Sequence, residues 1–123
     1  ALAENLDQMG FFPRTRAVFG AMRDKDVRAI FARMAPLVDE WHFTDLPIAR
    51  AATAMELEQI HASLALAGPG PVATSRHADP LQALAAAAAA SDPADRIVVF
   101  GSLYTVGGVL KNGVPRLAGT HVV

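Results

Sequence analysis

The sequence predicts an α/β domain built on a mainly parallel β-sheet. Short β-branched apolar runs alternate along the chain with segments in which apolar residues recur at helical spacing. This alternation is typical of parallel strands joined by helices. Two of the runs end in the same three residues, Val-Phe-Gly, at 18–20 and 99–101. A Gly at the end of a buried run lets the chain turn sharply, so both runs are expected to be strands whose carboxyl ends carry ligand-binding loops.

Length and composition limit the chain to one domain. Its 123 residues, 52% of them hydrophobic, are enough to bury about two-thirds of the unfolded surface in a single core. The net charge is −1 with acids and bases interspersed, which argues against nucleic acid or an anionic membrane as a partner. The longest apolar tract, 83–90, is too short to span a bilayer. Cysteine is absent, so we expect a cytoplasmic protein without disulfides.

The first part of the chain predicts two helices and a strand. Apolar residues at helical spacing indicate a helix over 2–9, and the Gly that follows can end it. The apolar run 16–22 reads as a buried strand. A second helix follows, which either Asp24 or Asp26 can cap and which Pro36 ends.

The middle of the chain predicts a strand, a helix and a break. A loosely alternating run over 40–46 indicates the strand, and a third helix is expected to start near Thr53. The run Ala-Gly-Pro-Gly-Pro at 67–71 excludes helix and sheet, because it lacks both backbone donors and rigidity. We expect a surface loop there and a short edge strand over 72–74.

The last third predicts a helix, the clearest strand and a final helix. An Asp-Pro pair at 79–80 is typical of a helix start, and the Ala-rich helix that follows should end at 91–93. Residues 96–100 read as a buried strand, with a helix over 103–110 behind it. The pattern then decays, so residues 114–123 are either an irregular tail or an antiparallel edge strand.

Candidate binding residues lie in the loops that follow the predicted strands. Lys25 stands between Asp24 and Asp26, where either a ligand or simple helix capping explains the acids. Arg50 follows the second strand among small residues. Its guanidinium can grip a carboxylate through paired hydrogen bonds or remain an ordinary surface charge. Ser102 follows the second Val-Phe-Gly run and either caps the last helix or binds an anion there.

Phosphate-loop and metal-ligand patterns are absent from the sequence. The stretch 101–108 lacks the Lys-Ser/Thr of a P-loop, and 68–71 lacks a following helix. The histidines fall in separate predicted elements with no ligand spacing, so we expect ordinary structural roles and no metal site. These histidines are His42, His61, His77 and His121.

Three segments together resemble the C-terminal domain of bacterial dihydrofolate synthase/folylpolyglutamate synthase, a member of the Mur ligase superfamily. The segments are 17–26 (AVFGAMRDKD), 50–53 (RAAT) and 96–106 (RIVVFGSLYTV). Their order and spacing agree with that family, as do Trp41 and the Asp-Pro helix start. The resemblance implies a three-layer, Rossmann-like α/β domain over 1–123. It also implies a piece of a longer chain, which the Ala at position 1 favours.

The resemblance implies an ATP-dependent ligase of folate biosynthesis and one-carbon metabolism. In that family a central ATPase domain uses ATP and Mg²⁺ to convert a pteroate or folate carboxylate to an acyl phosphate, which the amino group of L-glutamate attacks. This chain lacks the Walker-type loop and the Asp and His turn that precede the domain in the family. We therefore expect no catalytic residue here and no activity of this chain alone. The central domain is the expected partner and the main binding site for ATP and Mg²⁺.

The resemblance also assigns roles to the candidate residues. Those matching positions on the glutamate side of the site are Lys25 and Arg50, which hold carboxylates in superfamily relatives, and Ser102. Those with supporting roles are Asp24 and Asp26, expected to orient Lys25, and Tyr104. Two alternatives stay open, namely the C-terminal domain of a cell-wall Mur ligase and a binding module without catalysis.

Overall fold

The computed structural model describes residues 2–64, 72–110 and 120–122. Helices and strands alternate along these residues, which confirms the predicted α/β class. The elements are α1 (Leu2–Gln8), β1 (Thr15–Gly20), α2 (Val27–Met34), β2 (Glu40–Thr44), α3 (Ala54–Ser63), β3 (Ala73–His77), α4 (Pro80–Ala90), β4 (Arg96–Gly101), α5 (Leu103–Leu110) and β5 (Thr120–Val122). The first two strands end two residues before their predicted ends, because the chain turns into loops there. The loop predicted at 67–71 lies outside the described residues.

The five described strands form one parallel sheet in the order β3-β2-β1-β4-β5. β3 lies at one edge of the sheet, in agreement with the edge strand predicted over 72–74. The antiparallel alternative for the end of the chain is wrong, because Ile97 pairs with Thr120 and Val99 with Val122 in parallel. When a helix crosses back over the sheet between two strands, the second strand starts at the same end of the sheet as the first, and the two strands are therefore parallel.

One face of the sheet packs an aromatic cluster beneath α1, α2 and α3. Phe31 of α2 is fully buried, and its ring centroid lies 5.0 Å from that of Trp41 and 5.5 Å from that of Phe19. Phe43 completes the cluster at 5.7 Å from Phe31. All three of these ring pairs are edge-to-face, an arrangement that aromatic pairs prefer. This layer fixes α2 and α3, and with them the loops that precede both helices.

The other face packs against α4 and α5, which gives the predicted three layers. Val18, Ile97 and Val99 contribute the sheet side of this second core, and Ala83 and Ala87 contribute the α4 side. Both alanines have no exposed surface. Their small side chains let the helix lie close to the sheet, so the Ala-rich composition has a packing role here.

Helix caps lie at the predicted helix starts. Asp26, rather than Asp24, caps α2. Thr53 and Glu56 form a reciprocal capping box at the start of α3. Asp79 caps α4, with Pro80 at its first position. Each of these helices follows a strand along the chain. It therefore begins at the end of the sheet where the strands finish, which we call the carboxyl edge. Within the described part of the chain, no helix combines the length and the apolar character that crossing a membrane requires.

Candidate functional site

The two Val-Phe-Gly segments end side by side at the carboxyl edge. Gly20 and Gly101 are paired neighbours on β1 and β4. A Cβ atom added to Gly101 would lie 2.0 Å from the carbonyl oxygen of Gly20, and the φ angle of Gly101 is +123°. Both facts require glycine at 101, because only glycine adopts this conformation without strain. The loops that follow the two strands therefore start from one closely packed point.

Hydrogen bonds of Ser102 and Thr105 connect the paired glycines to the first turn of α5. The hydroxyl of Thr105 donates to the carbonyl oxygen of Gly20 at 2.9 Å. The oxygen of Ser102 accepts from the Thr105 backbone N–H at 3.2 Å and lies 3.2 Å from the Thr105 hydroxyl. Since the Thr105 proton is directed to Gly20, the Ser102 hydroxyl donates to Thr105. Ser102 thus caps α5, which is one of the two roles that the sequence allowed.

The loops after β1 and β2 are joined by backbone hydrogen bonds. Met22 and Ala51 form an antiparallel bridge. The N–H of Arg23 donates to the carbonyl of Arg50, and the N–H of Ala52 donates to that of Ala21, each at 2.9 Å. The sequence placed these two loops at the same edge of the sheet but gave no sign that they pair. Their pairing brings the Asp24-Lys25-Asp26 turn alongside the segment that carries Arg50.

Arg23 is a site residue that the sequence analysis missed. Its guanidinium donates to Glu56 at 2.9 Å and to the carbonyl of Ala49 at 3.0 Å. Hydrogen bonds from Arg23 and from the Thr53 backbone N–H lower the pKa of Glu56 to about 2. The Thr-x-x-Glu pattern at 53–56 is typical of a capping box, and it is the sequence signal from which a role for Glu56 could have been predicted. Arg23 therefore locks the first loop to the start of α3, and its charge is already paired.

A cavity of about 350 Å³ lies between the two joined loops. It is lined by Arg23, Asp24, Ala49 and Arg50. Among the residues described, Arg50 has no carboxylate within ion-pair distance, whereas Arg23 pairs with Glu56. Arg50 is exposed. Its guanidinium is therefore available for bidentate hydrogen bonds to a carboxylate, and Asp24 supplies an acid in the same cavity.

Lys25 and Asp26 lie outside the lining of that cavity. Lys25 is exposed in the turn, and its backbone N–H bonds to the carbonyl of Met22 at 3.2 Å. In the described part of the chain its ammonium forms no ion pair with Asp24 or Asp26. The Asp26 carboxylate accepts from the Ala29 N–H at 3.2 Å instead. Asp26 is thus a helix cap, and a role for either acid in orienting Lys25 stays a prediction.

Tyr104 lies in a different cavity from Arg50. It is 46% exposed and lines a space of about 460 Å³ together with Leu46, Pro47 and the start of α4. The structure thus brings Asp24 and Arg50 together with Arg23, and places Tyr104 apart from them.

Comparison with known proteins assigns the family. Residues 1–103 match the family described as Mur ligase, glutamate ligase domain. No curated protein sequence is similar enough to count as a match.

Several solved structures share the fold. Bifunctional folylpolyglutamate synthase/dihydrofolate synthase from Yersinia pestis, complexed with AMPPNP and Mn, is 30% identical with a TM-score of 0.74, over 90% of this chain and 24% of that chain. FolC from E. coli, in complex with DHPP and ADP, is 27% identical with a TM-score of 0.78, over 90% and 24% of the two chains. A bifunctional enzyme with Mn, AMPPNP and L-glutamate bound is 29% identical with a TM-score of 0.75, over 90% and 25%.

This chain spans about a quarter of the length of those proteins. The family match covers residues 1–103, and the structural matches cover most of the chain. Both agree with the resemblance that the motifs around the two Val-Phe-Gly segments indicate. The chain therefore belongs to the Mur ligase family as a glutamate ligase domain, and is similar to the C-terminal domain of folylpolyglutamate synthase/dihydrofolate synthase.

Proposed function

We propose that this chain is the glutamate-side domain of an ATP-dependent ligase that joins L-glutamate to dihydropteroate, to folates, or to both. The observation that carries the proposal is the guanidinium of Arg50, which lines the cavity between the two joined loops and has no carboxylate within ion-pair distance among the described residues. Support also comes from the family match and from a similar structure solved with L-glutamate bound.

The charges of the cavity suit an amino acid. Arg50 can bind one carboxylate of glutamate through two parallel hydrogen bonds. Asp24, in the same cavity, can bind the ammonium group. Lys25 is exposed in the turn next to Asp24, where an approaching domain can contact it. We assign its ammonium group to the second carboxylate of glutamate. Arg23 serves a positioning role, since Glu56 already neutralises its charge.

The activating chemistry belongs to the rest of the longer protein. In the described residues, no group of three His, Cys, Asp or Glu side chains is arranged to hold a metal ion. We assign ATP and Mg²⁺ mainly to a central domain. ATP bound there would supply the phosphoryl group that activates the acceptor carboxylate. The carboxyl edge of this domain closes over that site, orients the glutamate amine and excludes water, which would otherwise hydrolyse the activated acid.

The test uses the longer protein that contains this chain. Phosphate release that depends on ATP is measured with L-glutamate and either dihydropteroate or a reduced folate. Arg50→Ala should raise the KM for glutamate by roughly 10- to 100-fold, as expected for loss of a charge-assisted pair, and should leave the KM for ATP unchanged. Arg28→Ala is the matched control, because Arg28 is an exposed arginine that donates to the Ser63 hydroxyl at 3.3 Å and is not among the residues that line the cavity.

Two outcomes would overturn the proposal. Phosphate release with neither acceptor would favour a cell-wall Mur ligase or a binding module. An unchanged KM for glutamate in both Arg50→Ala and Lys25→Ala would remove this cavity as the glutamate site even if the ligase activity is present.

A further inference from the structure

The loop after β2 spans residues 45–53 and carries Arg50. Ala49 and Arg50 line the cavity that we assign to glutamate. Backbone hydrogen bonds to the loop after β1 hold the later part of this loop, from Arg50 to Ala52. Different contacts fix the start of the loop, and they converge on Asp45.

Asp45 holds the start of the loop in two directions. Its carboxylate oxygen Oδ1 accepts a hydrogen bond from the backbone N–H of Ala54 at 2.6 Å, and its own N–H donates to the carbonyl of His77 at 2.9 Å. Ala54 is the first residue of α3. The carboxylate therefore closes a ring of chain from 45 to 54, and Arg50 lies inside that ring.

The start of α3 already has a cap of its own. The side chain of Thr53 accepts from the backbone N–H of Glu56, and the side chain of Glu56 accepts from that of Thr53. The N–H of Ala54 is one of the four at a helix start that lack a partner within the helix. A carboxylate there makes a charge-assisted hydrogen bond and interacts favourably with the helix dipole. Asp45 thus adds a link across the loop to a helix that Thr53 caps.

The acceptor for the Asp45 N–H is itself held in place. His77 is the last residue of β3 and pairs with Thr44 at the end of β2. The hydroxyl oxygen of Ser75 lies 2.7 Å from Nε2 of His77 and 2.7 Å from Nδ1 of His42. Since His42 is buried on β2, this contact holds the end of the edge strand against its neighbour. Asp45 is therefore anchored to the sheet on one side and to α3 on the other.

Asp45 acts on Arg50 from outside the glutamate cavity. Asp45 is half-buried, and it is not among the residues that line this cavity. A group outside the cavity changes binding only through the residues that it positions. Loss of the Asp45 carboxylate opens the ring of chain, so the position of Arg50 becomes less well defined. A misplacement of about 1 Å in a binding group can cost on the order of 100-fold in activity.

We propose that Asp45 is a positioning residue for glutamate binding, which places the Arg50 guanidinium by closing the loop that carries it. This inference rests on the proposed function, in which Arg50 binds a carboxylate of glutamate. A loop that is fixed at both ends before the substrate arrives loses less conformational entropy on binding. Asp45 therefore contributes to affinity for glutamate without contacting it.

The test is a double-mutant cycle in the longer protein that contains this chain, with the KM for glutamate as the readout. Asp45→Ala should raise that KM by roughly 3- to 30-fold, as expected for coupling within one hydrogen-bond network, and should leave kcat and the KM for ATP unchanged. In the Arg50→Ala background the same substitution should have no further effect, because it acts through Arg50. Asp45→Asn, which keeps an oxygen that can accept from Ala54, should restore most of the binding.

The matched control is Asp39→Ala. The Asp39 carboxylate accepts from the backbone N–H of Thr15 at 2.7 Å, which is the same kind of bond at the start of β1, the opposite end of the sheet. Its loss should lower Tm and leave the KM for glutamate unchanged. Circular dichroism shows whether each variant folds. Asp45→Glu, which moves the carboxylate by one methylene group, is the second variant and should raise the KM less than Asp45→Ala does.

Hydrogen–deuterium exchange without substrate gives a readout that does not depend on activity. Exchange at 46–53 should become faster in Asp45→Ala and stay unchanged in Asp39→Ala. Normal exchange or a normal KM in folded Asp45→Ala, or an equal rise in KM with and without Arg50, would overturn this inference and leave the proposed function intact. A normal KM in Arg50→Ala would overturn the role of Arg50 and this inference with it.

Discussion

The side chain of Thr105 donates a hydrogen bond to the backbone carbonyl of Gly20 across 85 residues of sequence. Both groups are buried, and the bond joins the first turn of α5 to the end of β1. Thr105→Val keeps the shape but leaves the Gly20 carbonyl without its donor. We expect a loss of about 1–3 kcal/mol in the free energy of unfolding, measured in urea. Thr105→Ser, which keeps the hydroxyl, should lose less. Equal losses in both variants would show that the methyl group contributes as much as the hydroxyl.

Gly101 and Gly107 should respond to alanine in opposite directions. Gly101→Ala places a Cβ against the Gly20 carbonyl at a φ of +123°, and the backbone strain alone costs about 1–3 kcal/mol. Gly107 lies in α5 with nothing within 4 Å of an added Cβ, so Gly107→Ala should stabilise the chain by about 0.5–1 kcal/mol. Thermal unfolding of both variants checks the pair. A neutral Gly101→Ala would mean that β4 can move away from β1.

Substitution of Asp26 should lower the stability of the fold, whereas substitution of Asp24 should weaken glutamate binding. Asp26→Ala removes the cap of α2 and should cost about 0.5–2 kcal/mol of unfolding free energy. Asp24→Ala should leave that free energy unchanged, because Asp24 caps no helix among the described residues. It should nevertheless raise the KM for glutamate in the longer protein. Urea unfolding and the ligase assay measure the two effects. If Asp24→Ala has a normal KM, the ammonium of glutamate is bound elsewhere.

The Arg23–Glu56 pair should make stability depend on pH in the acid range. The pKa of Glu56 in the folded chain is about 2, below its ordinary value of 4.5. A lowered pKa contributes stability that is present above pH 4.5 and is lost as the pH falls toward 2. Wild type should therefore be more stable than Glu56→Gln at pH 6, and the difference should shrink between pH 4.5 and pH 2. A difference that stays constant over this range would show that it does not arise from the charge of Glu56.

The sequence predicts the elements better than it predicts the contacts between them. Helical and alternating patterns report how each segment buries its own face, so the order of strands and helices could be predicted. So could a cap at Asp24 or Asp26, a helix start near Thr53 and a cap at Asp79. The Val-Phe-Gly repeat marked two strand ends. That Gly20 and Gly101 are direct neighbours depends on the strand order, which no local pattern contains.

The same limit explains what was missed at the site. Arg23 meets Glu56 only because the loops after β1 and β2 pair with each other. His42 meets His77 only because β2 and β3 are adjacent in parallel register. The direction of β5 was predicted wrongly as antiparallel, since three residues are too few to show from which end the chain re-enters the sheet. In each case the missing information was the pairing of distant segments.

The aromatic layer also gives this domain an optical property. Trp41 is the one tryptophan in the sequence, it is 1% exposed, and its ring lies within 6.0 Å of Phe19, Phe31, Phe43 and Phe100. Its fluorescence arises from the interior beneath α2 and α3, far from solvent quenchers. Emission that shifts to the red therefore signals that this interior has opened, and a ligand that fills the cavity at Arg50 without disturbing the interior leaves the spectrum unchanged.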